Sequence, residues 1–127
     1  VGGEGELGKV VAGGAMMGPA VENLSYPTTK TTSGLILLSK AAAQPAQVNP
    51  CIRCGRCVEY CPMGLEPVEV NQAYAARDVQ ELGKLHVDYC FNCGSCTFVC
   101  PAKRPCTQMM GLAKAFYLGE IKKGGNK

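Results

Sequence analysis

The chain has no tryptophan, a single histidine (His86), and no apolar run approaching the roughly 18 residues that a membrane helix needs. The longest strongly apolar piece is Leu35 to Leu38. One histidine is too few for a Rieske centre, which takes two. His86 reads as an ordinary polar residue at a helix end. Charge is also sparse, at 18% of residues with a formal net charge of +3. That balance is too mild to argue for nucleic acid. No Ser/His/Asp set, paired catalytic carboxylates or phosphate-cradling loop points to a hydrolase or transferase. The segment Gly3 to Gly8 matches G-x-G-x-x-G only formally. No strand precedes it, and its two glutamates would repel a pyrophosphate. With 127 residues and 46% hydrophobic content, the chain has the size of about one globular domain.

What the chain does have is cysteine, nine in all. Eight fall in two copies of one pattern. Cys51 to Pro62 reads C-I-R-C-G-R-C-V-E-Y-C-P, and Cys90 to Pro101 reads C-F-N-C-G-S-C-T-F-V-C-P. The offset is constant, since 90 − 51, 93 − 54, 96 − 57 and 100 − 61 all equal 39. Gly55 and Gly94 also correspond. Two runs of C-x2-C-x2-C-x3-C-P are the bacterial ferredoxin pattern for a pair of [4Fe–4S] clusters.

The spacing suits a cubane. Cysteines three apart can wrap a loop around three corners, and a glycine between them gives the backbone freedom. The fourth cysteine is carried off by a short helical turn, which proline then ends. In two-cluster ferredoxins that fourth cysteine ligates the other cluster. The first cluster is therefore assigned Cys51, Cys54, Cys57 and Cys100, and the second Cys90, Cys93, Cys96 and Cys61. A structural zinc site shows separated C-x2-C pairs and would leave the third cysteine of each run superfluous. A disulfide framework sits poorly with an odd count of cysteines and no visible secretory signal. The thiols must stay reduced to load iron, which points to the cytoplasm. The ninth cysteine, Cys106, lies outside both sets and reads as a small buried apolar side chain.

The flanking sequence divides the chain. Lys9 to Ala12 is a short strand candidate, and Gly34 to Ser39 a second, with both faces buried if its apolar run is taken literally. Met16 and Met17 read as packing residues. Lys40 to Pro50 has a linker composition. Between the cysteine runs, Glu66-Pro67 opens a helix with Val70, Ala73 and Tyr74 on one face. Asp78 to Glu81 resembles a capping box that starts another short helix. The longest helix starts at Pro105, with a stripe of Met109, Leu112, Ala113, Phe116 and Tyr117. Its basic end holds Lys122 and Lys123, with Lys127 beyond, and reads as a helix terminus favoured by the macrodipole. The fold expected is mainly α. Residues 51–127 form a helical two-cluster ferredoxin-like domain with a pseudo-twofold repeat. Residues 40–50 form a linker, and residues 1–39 the end of a small β-rich domain. The chain begins at Val1 in a glycine-rich stretch, as a piece of a longer protein would.

Pro50 to Cys57, Cys61-Pro62-Met63-Gly64-Leu65 and the long helical spacer to Cys90 resemble RnfC, the C subunit of the Rnf electron transport complex. Val10 to Gly18 and Pro27 to Gly34 are similar to the segment before its clusters. The likeness covers nearly all of Lys9 to Lys123, and the Gly-Gly-x-Met-Met-Gly segment makes it specific. The resemblance implies an electron relay in a complex that moves electrons between ferredoxin and NAD, coupled to Na⁺ or H⁺ movement. It implies a peripheral subunit on the cytoplasmic face of the membrane, with no transmembrane segment of its own. Its partners would be the other subunits and ferredoxin, and not nucleic acid. FMN and NAD would bind only N-terminal of this stretch. Residues 1–39 would close a β-grasp-like soluble ligand-binding domain. One departure is Cys106, where the family pattern leads one to expect an apolar residue. Two other readings stand beside this one: the iron–sulfur arm of a soluble flavin dehydrogenase or heterodisulfide-type reductase, and a zinc-held interaction module without redox chemistry.

Overall fold

The computed structural model describes residues 5–124, so Gly3, Glu4 and Lys127 lie outside the described residues. Two compact units divide between Ala46 and Gln47.

In the first unit, strand β1 (Leu7–Ala12) pairs antiparallel with β2 (Leu35–Ser39), Val10 standing opposite Leu37. The other flank of β1 is also taken. Val11 bridges Ala20, and the Val21 amide donates to the Val10 carbonyl at 2.9 Å. β1 is thus the middle piece, and Val10 and Val11 are buried. β2 is an edge, which corrects the expectation of a strand buried on both faces. Leu35 and Leu37 are 40% and 45% exposed, alternating with half-buried Ile36 and Leu38. A sheet of two strands can cover only one face of its edge member. Met16 and Met17 are exposed rather than packed, carried on a turn outside the strands. What that turn needs is Gly18, where a Cβ would stand 2.6 Å from the Ala12 carbonyl oxygen and 2.7 Å from Val11 Cγ1. The start of the expected linker is instead a one-turn helix, α1 (Lys40–Ala43). Alanine favours a helix, and Ser39 Oγ caps it by accepting from the Ala42 amide at 3.3 Å.

The second unit is helical. Short helix α2 (Arg56–Glu59) leads to α3 (Pro67–Ala75) and α4 (Val79–Lys84), then a 3-10 turn (Val87–Tyr89), α5 (Ser95–Phe98) and the long α6 (Cys106–Gly124). Pro67 sits in the first turn of α3, where its missing N–H costs nothing. Asp78 caps α4 by accepting from the Glu81 amide at 3.0 Å. The reciprocal half of the capping box is absent, since the Glu81 carboxylate pairs with Lys84 at 2.8 Å. His86 is left-handed (φ 51°) and stacks on Tyr89. α6 packs on α3, α4, α5 and the 3-10 turn. Its buried line is Cys106, Met110 and Ala113, with Phe116 and Tyr117 half-buried. The stripe expected from the sequence is one residue out at its start, and Leu112 is 53% exposed. The helix is anchored among the cysteines by Cys106, and this rotates Met110 rather than Met109 into the core. The core gathers Leu65, Val70, Ala73, Leu82, Val87, Met110 and Ala113. At the far end Lys123 pairs with Glu120 at 2.8 Å. Across the described residues the architecture is mixed, helices with a two-stranded sheet.

Candidate metal centre

The duplicated motif is repeated in the backbone. Gly55 and Gly94 both precede a one-turn helix with left-handed φ of 78° and 87°. That conformation favours glycine, so it is φ that explains the residue, and a Cβ at Gly55 would meet nothing within 4 Å. Two more left-handed pairs keep the same offset: Arg53 with Asn92, and Gly64 with Lys103. Each loop thus turns twice before its helix and once after it. α2 and α5 pack against each other. Their mid-motif cysteines, Cys57 and Cys96, are buried side by side with Cys106.

All nine cysteines are unbonded, with Cys57, Cys96 and Cys106 buried and Cys51 and Cys54 exposed. Cys51, Cys54, Cys57 and Cys100 line one cavity, and Cys106 lines it too. Cys100 comes from the far end of the second motif and packs against the group of Cys57, Cys96 and Cys106. Cys61, from the end of the first motif, packs instead on the apolar core, as does Cys90. Cys90 and Cys93 both lie within electrostatic reach of Cys96. Cys100 thus shares a cavity with the first three cysteines of the other motif, while also packing on a group that holds Cys96 of its own.

Sulfur is also met by hydrogen bonds. The Arg53 amide donates to Cys51 Sγ and the Leu65 amide to Cys61 Sγ, both at 3.4 Å. Cys93 Sγ contacts Ser95 Oγ at 3.4 Å, and Cys96 Sγ contacts Thr107 Oγ1 at 3.4 Å. Burial pushes the Cys57 and Cys96 thiols up, neighbouring cysteines add to this, and the Thr107 hydroxyl opposes it at Cys96. Burial pushes Cys106 furthest, up to about 12, with Cys100, Cys96 and Cys57 adding to it. Iron bound at such sulfurs would displace their protons outright.

Four cysteines line one cavity, and a cubane takes one thiolate at each of its four irons. Among the described residues, no three of the His, Cys, Asp and Glu side chains form a group that could hold a single metal ion. Asn71 also lines the first cavity, and its enclosed Oδ1 has no hydrogen-bond partner; an amide oxygen only accepts, so cluster sulfurs, which also accept, would not satisfy it.

Sequence reasoning misses Asn71 as a site residue, although a signal is present. Val68, Asn71 and Gln72 fall at i, i+3 and i+4 and line the cavity, while Val70 and Ala73 face the core. α3 therefore has two working faces. Cys106, read from the sequence as a packing residue, is indeed only 5% exposed, but the surface it packs against is the cavity of the first cysteine set. Arg104, half-buried, lines that cavity as well.

Comparison with known proteins agrees with this chemistry. Residues 50–103 match the 4Fe-4S dicluster domain. The C subunit of the ion-translocating oxidoreductase complex of Rhodobacter capsulatus is 40% identical over 109 residues, covering 86% of this chain and 21% of that protein. The C subunit of the Na(+)-translocating ferredoxin:NAD(+) oxidoreductase complex of Acetobacterium woodii is 40% identical over 74 residues, 58% of this chain and 16% of that protein. The C subunit of the proton-translocating ferredoxin:NAD(+) oxidoreductase complex of Clostridium ljungdahlii is 46% identical over 59 residues, 46% of this chain and 13% of that protein. The chain thus spans about a fifth or less of the length of these curated relatives.

Proposed function

Because this chain is a homologue of the C subunits of Rnf-type ion-translocating oxidoreductase complexes and carries a 4Fe-4S dicluster domain, we propose that it relays electrons through two [4Fe–4S] clusters within such a complex. The observation that carries this reading is the cavity in which Cys51, Cys54 and Cys57 meet Cys100 from the other motif. These four would hold the first cluster, and Cys90, Cys93, Cys96 and Cys61 the second. When bound, each cluster supplies a one-electron couple. The protein contributes thiolate ligands, amide donors at Arg53 and Leu65, and a cavity wall that includes Val68 and Ala102.

The wider setting is part of the same proposal. The complex passes electrons between ferredoxin and NAD and couples this to Na⁺ or H⁺ movement. Two relatives bear ferredoxin:NAD(+) oxidoreductase names, one Na(+)-translocating and one proton-translocating. The chain sits peripherally on the cytoplasmic face against other subunits. No described helix is long and apolar enough to cross a membrane. Residues 1–39 close a β-grasp-like domain, residues 40–50 link it to the cluster domain at 51–127, and FMN and NAD bind N-terminal of this stretch.

The test is iron and acid-labile sulfide analysis of anaerobically reconstituted protein, with EPR of the reduced form. About eight irons per chain are expected from two four-iron clusters. Saturation at about four irons, or zinc alone, overturns the proposal.

A further inference from the structure

The first cavity is lined by five cysteines where a cubane needs four thiolates. The fifth, Cys106, belongs to the same side-chain group as the ligands. It is buried against Cys57 and Cys96, with Cys100 packed on the group. It is also held firmly. It opens α6, its amide donates to the Arg104 carbonyl at 2.9 Å, and the next residue, Thr107, is tied to Thr97 of α5 by two hydrogen bonds of 2.8 Å. Cys106 therefore does not need to be recruited from a mobile segment.

We propose that Cys106 is a reserve ligand of the first cluster, able to take the iron corner of Cys100 when the Cys100 thiolate is unavailable. The inference rests on the two-cluster reading above. The exchange is a ligand substitution without redox change. The bond from iron to Cys100 Sγ is absent or breaks, the bond from iron to Cys106 Sγ forms, and the Cys106 proton leaves to solvent. Cys106 lines the cavity of Cys51, Cys54 and Cys57, whereas Cys90, Cys93 and Cys61 do not. Cys96 of the second set also packs on Cys106 but does not line that cavity, so the reserve role is assigned to the first cluster.

The experiment compares wild type, Cys106→Ala, Cys100→Ala and Cys100→Ala/Cys106→Ala, each reconstituted anaerobically with iron and sulfide. The readouts are iron per chain, EPR and far-UV circular dichroism. Wild type, Cys106→Ala and Cys100→Ala should each reach about eight irons, while the double variant falls to about half of that. The Cys100→Ala cluster should show a shifted EPR signal, since its fourth thiolate comes from a new position. Cys100→Ala as depleted as the double variant overturns the reserve role, as does a double variant that still fills. So does a Cys100→Ala chain that fails to fold while Cys106→Ala folds, because a working substitute would preserve the fold with the cluster. A wild type short of about eight irons instead fails the two-cluster reading itself.

Discussion

Single charges decide how each cluster would be tuned. Reduction adds negative charge, so nearby cations favour the reduced form, and iron–sulfur potentials respond to charge, hydrogen bonds and exposure. Arg53 and Arg56 lie in the first loop, and Lys103 and Arg104 follow Cys100, which joins the same set. Asp88 and Glu59 stand next to the other set, whose loop carries neutral Asn92 and Ser95. The first cluster should therefore be the easier to reduce. The four cations are not equal. Arg53, Arg56 and Lys103 are exposed, and exposed charges are screened over about 8 Å at physiological salt. Arg104 is half-buried and lines the cavity. In an EPR redox titration, Arg104→Gln should lower the first midpoint by roughly tens of millivolts, more than Arg53→Gln/Arg56→Gln does, and leave the second in place. Equal shifts of both midpoints, or none, would show that these cations serve the surface, where an acidic electron carrier could dock.

At the scale of elements, the longest helix takes its N-terminal cap from another element. Thr107 lies in the first turn of α6, where backbone N–H groups lack helical partners. Its amide donates to Thr97 Oγ1 at 2.8 Å, and that hydroxyl donates on to Thr107 Oγ1 at 2.8 Å. A side chain of α5 thus caps α6 and fixes the second motif to the longest helix. Thr97→Val should destabilise the loaded protein by about 1–2 kcal/mol, since it leaves a part-buried amide unpaired, and Thr97→Ser should restore most of it. Urea midpoints under anaerobic conditions measure both. Asp78→Ala, which removes the cap of α4, should cost about 1 kcal/mol by the same measurement. The Asp78 cap is legible in the sequence because a local cap leaves a local pattern. The Thr97 cap is not, because Thr97 and Thr107 are ten residues apart and meet only through the tertiary fold. The same distinction covers the other elements. Pro67, the two cysteine loops and β1 announce themselves over a few residues. The exposure of β2 depends on which strand is the edge, and the rotation of α6 depends on Cys106 seating among other cysteines. Apolar periodicity near Met109 contains neither fact.

At the scale of the whole second unit, its apolar core and its cysteine group are built from both motifs. Cys57 of the first motif packs with Cys96, Cys100 and Cys106 of the second half. Cys61, only four residues beyond Cys57, packs with Cys90 against the core that holds Leu82 and Met110. If each fourth cysteine serves the other motif's cluster, neither half can close without the other, and the free energy of metal binding becomes free energy of folding. Pairs of cysteine variants separate this crossed set from an uncrossed one. Cys61→Ala/Cys93→Ala removes two ligands of one cluster in the crossed arrangement, so the second change adds nothing to the first, and about four irons remain. Cys54→Ala/Cys61→Ala strikes both clusters, so iron should fall toward zero and helical circular dichroism should collapse with it. An uncrossed arrangement gives the reverse, with Cys54→Ala/Cys61→Ala retaining about four irons and Cys61→Ala/Cys93→Ala losing both clusters. Cys61 is the right position for the test, because no tenth cysteine stands near it, whereas a change at Cys100 could be masked by Cys106.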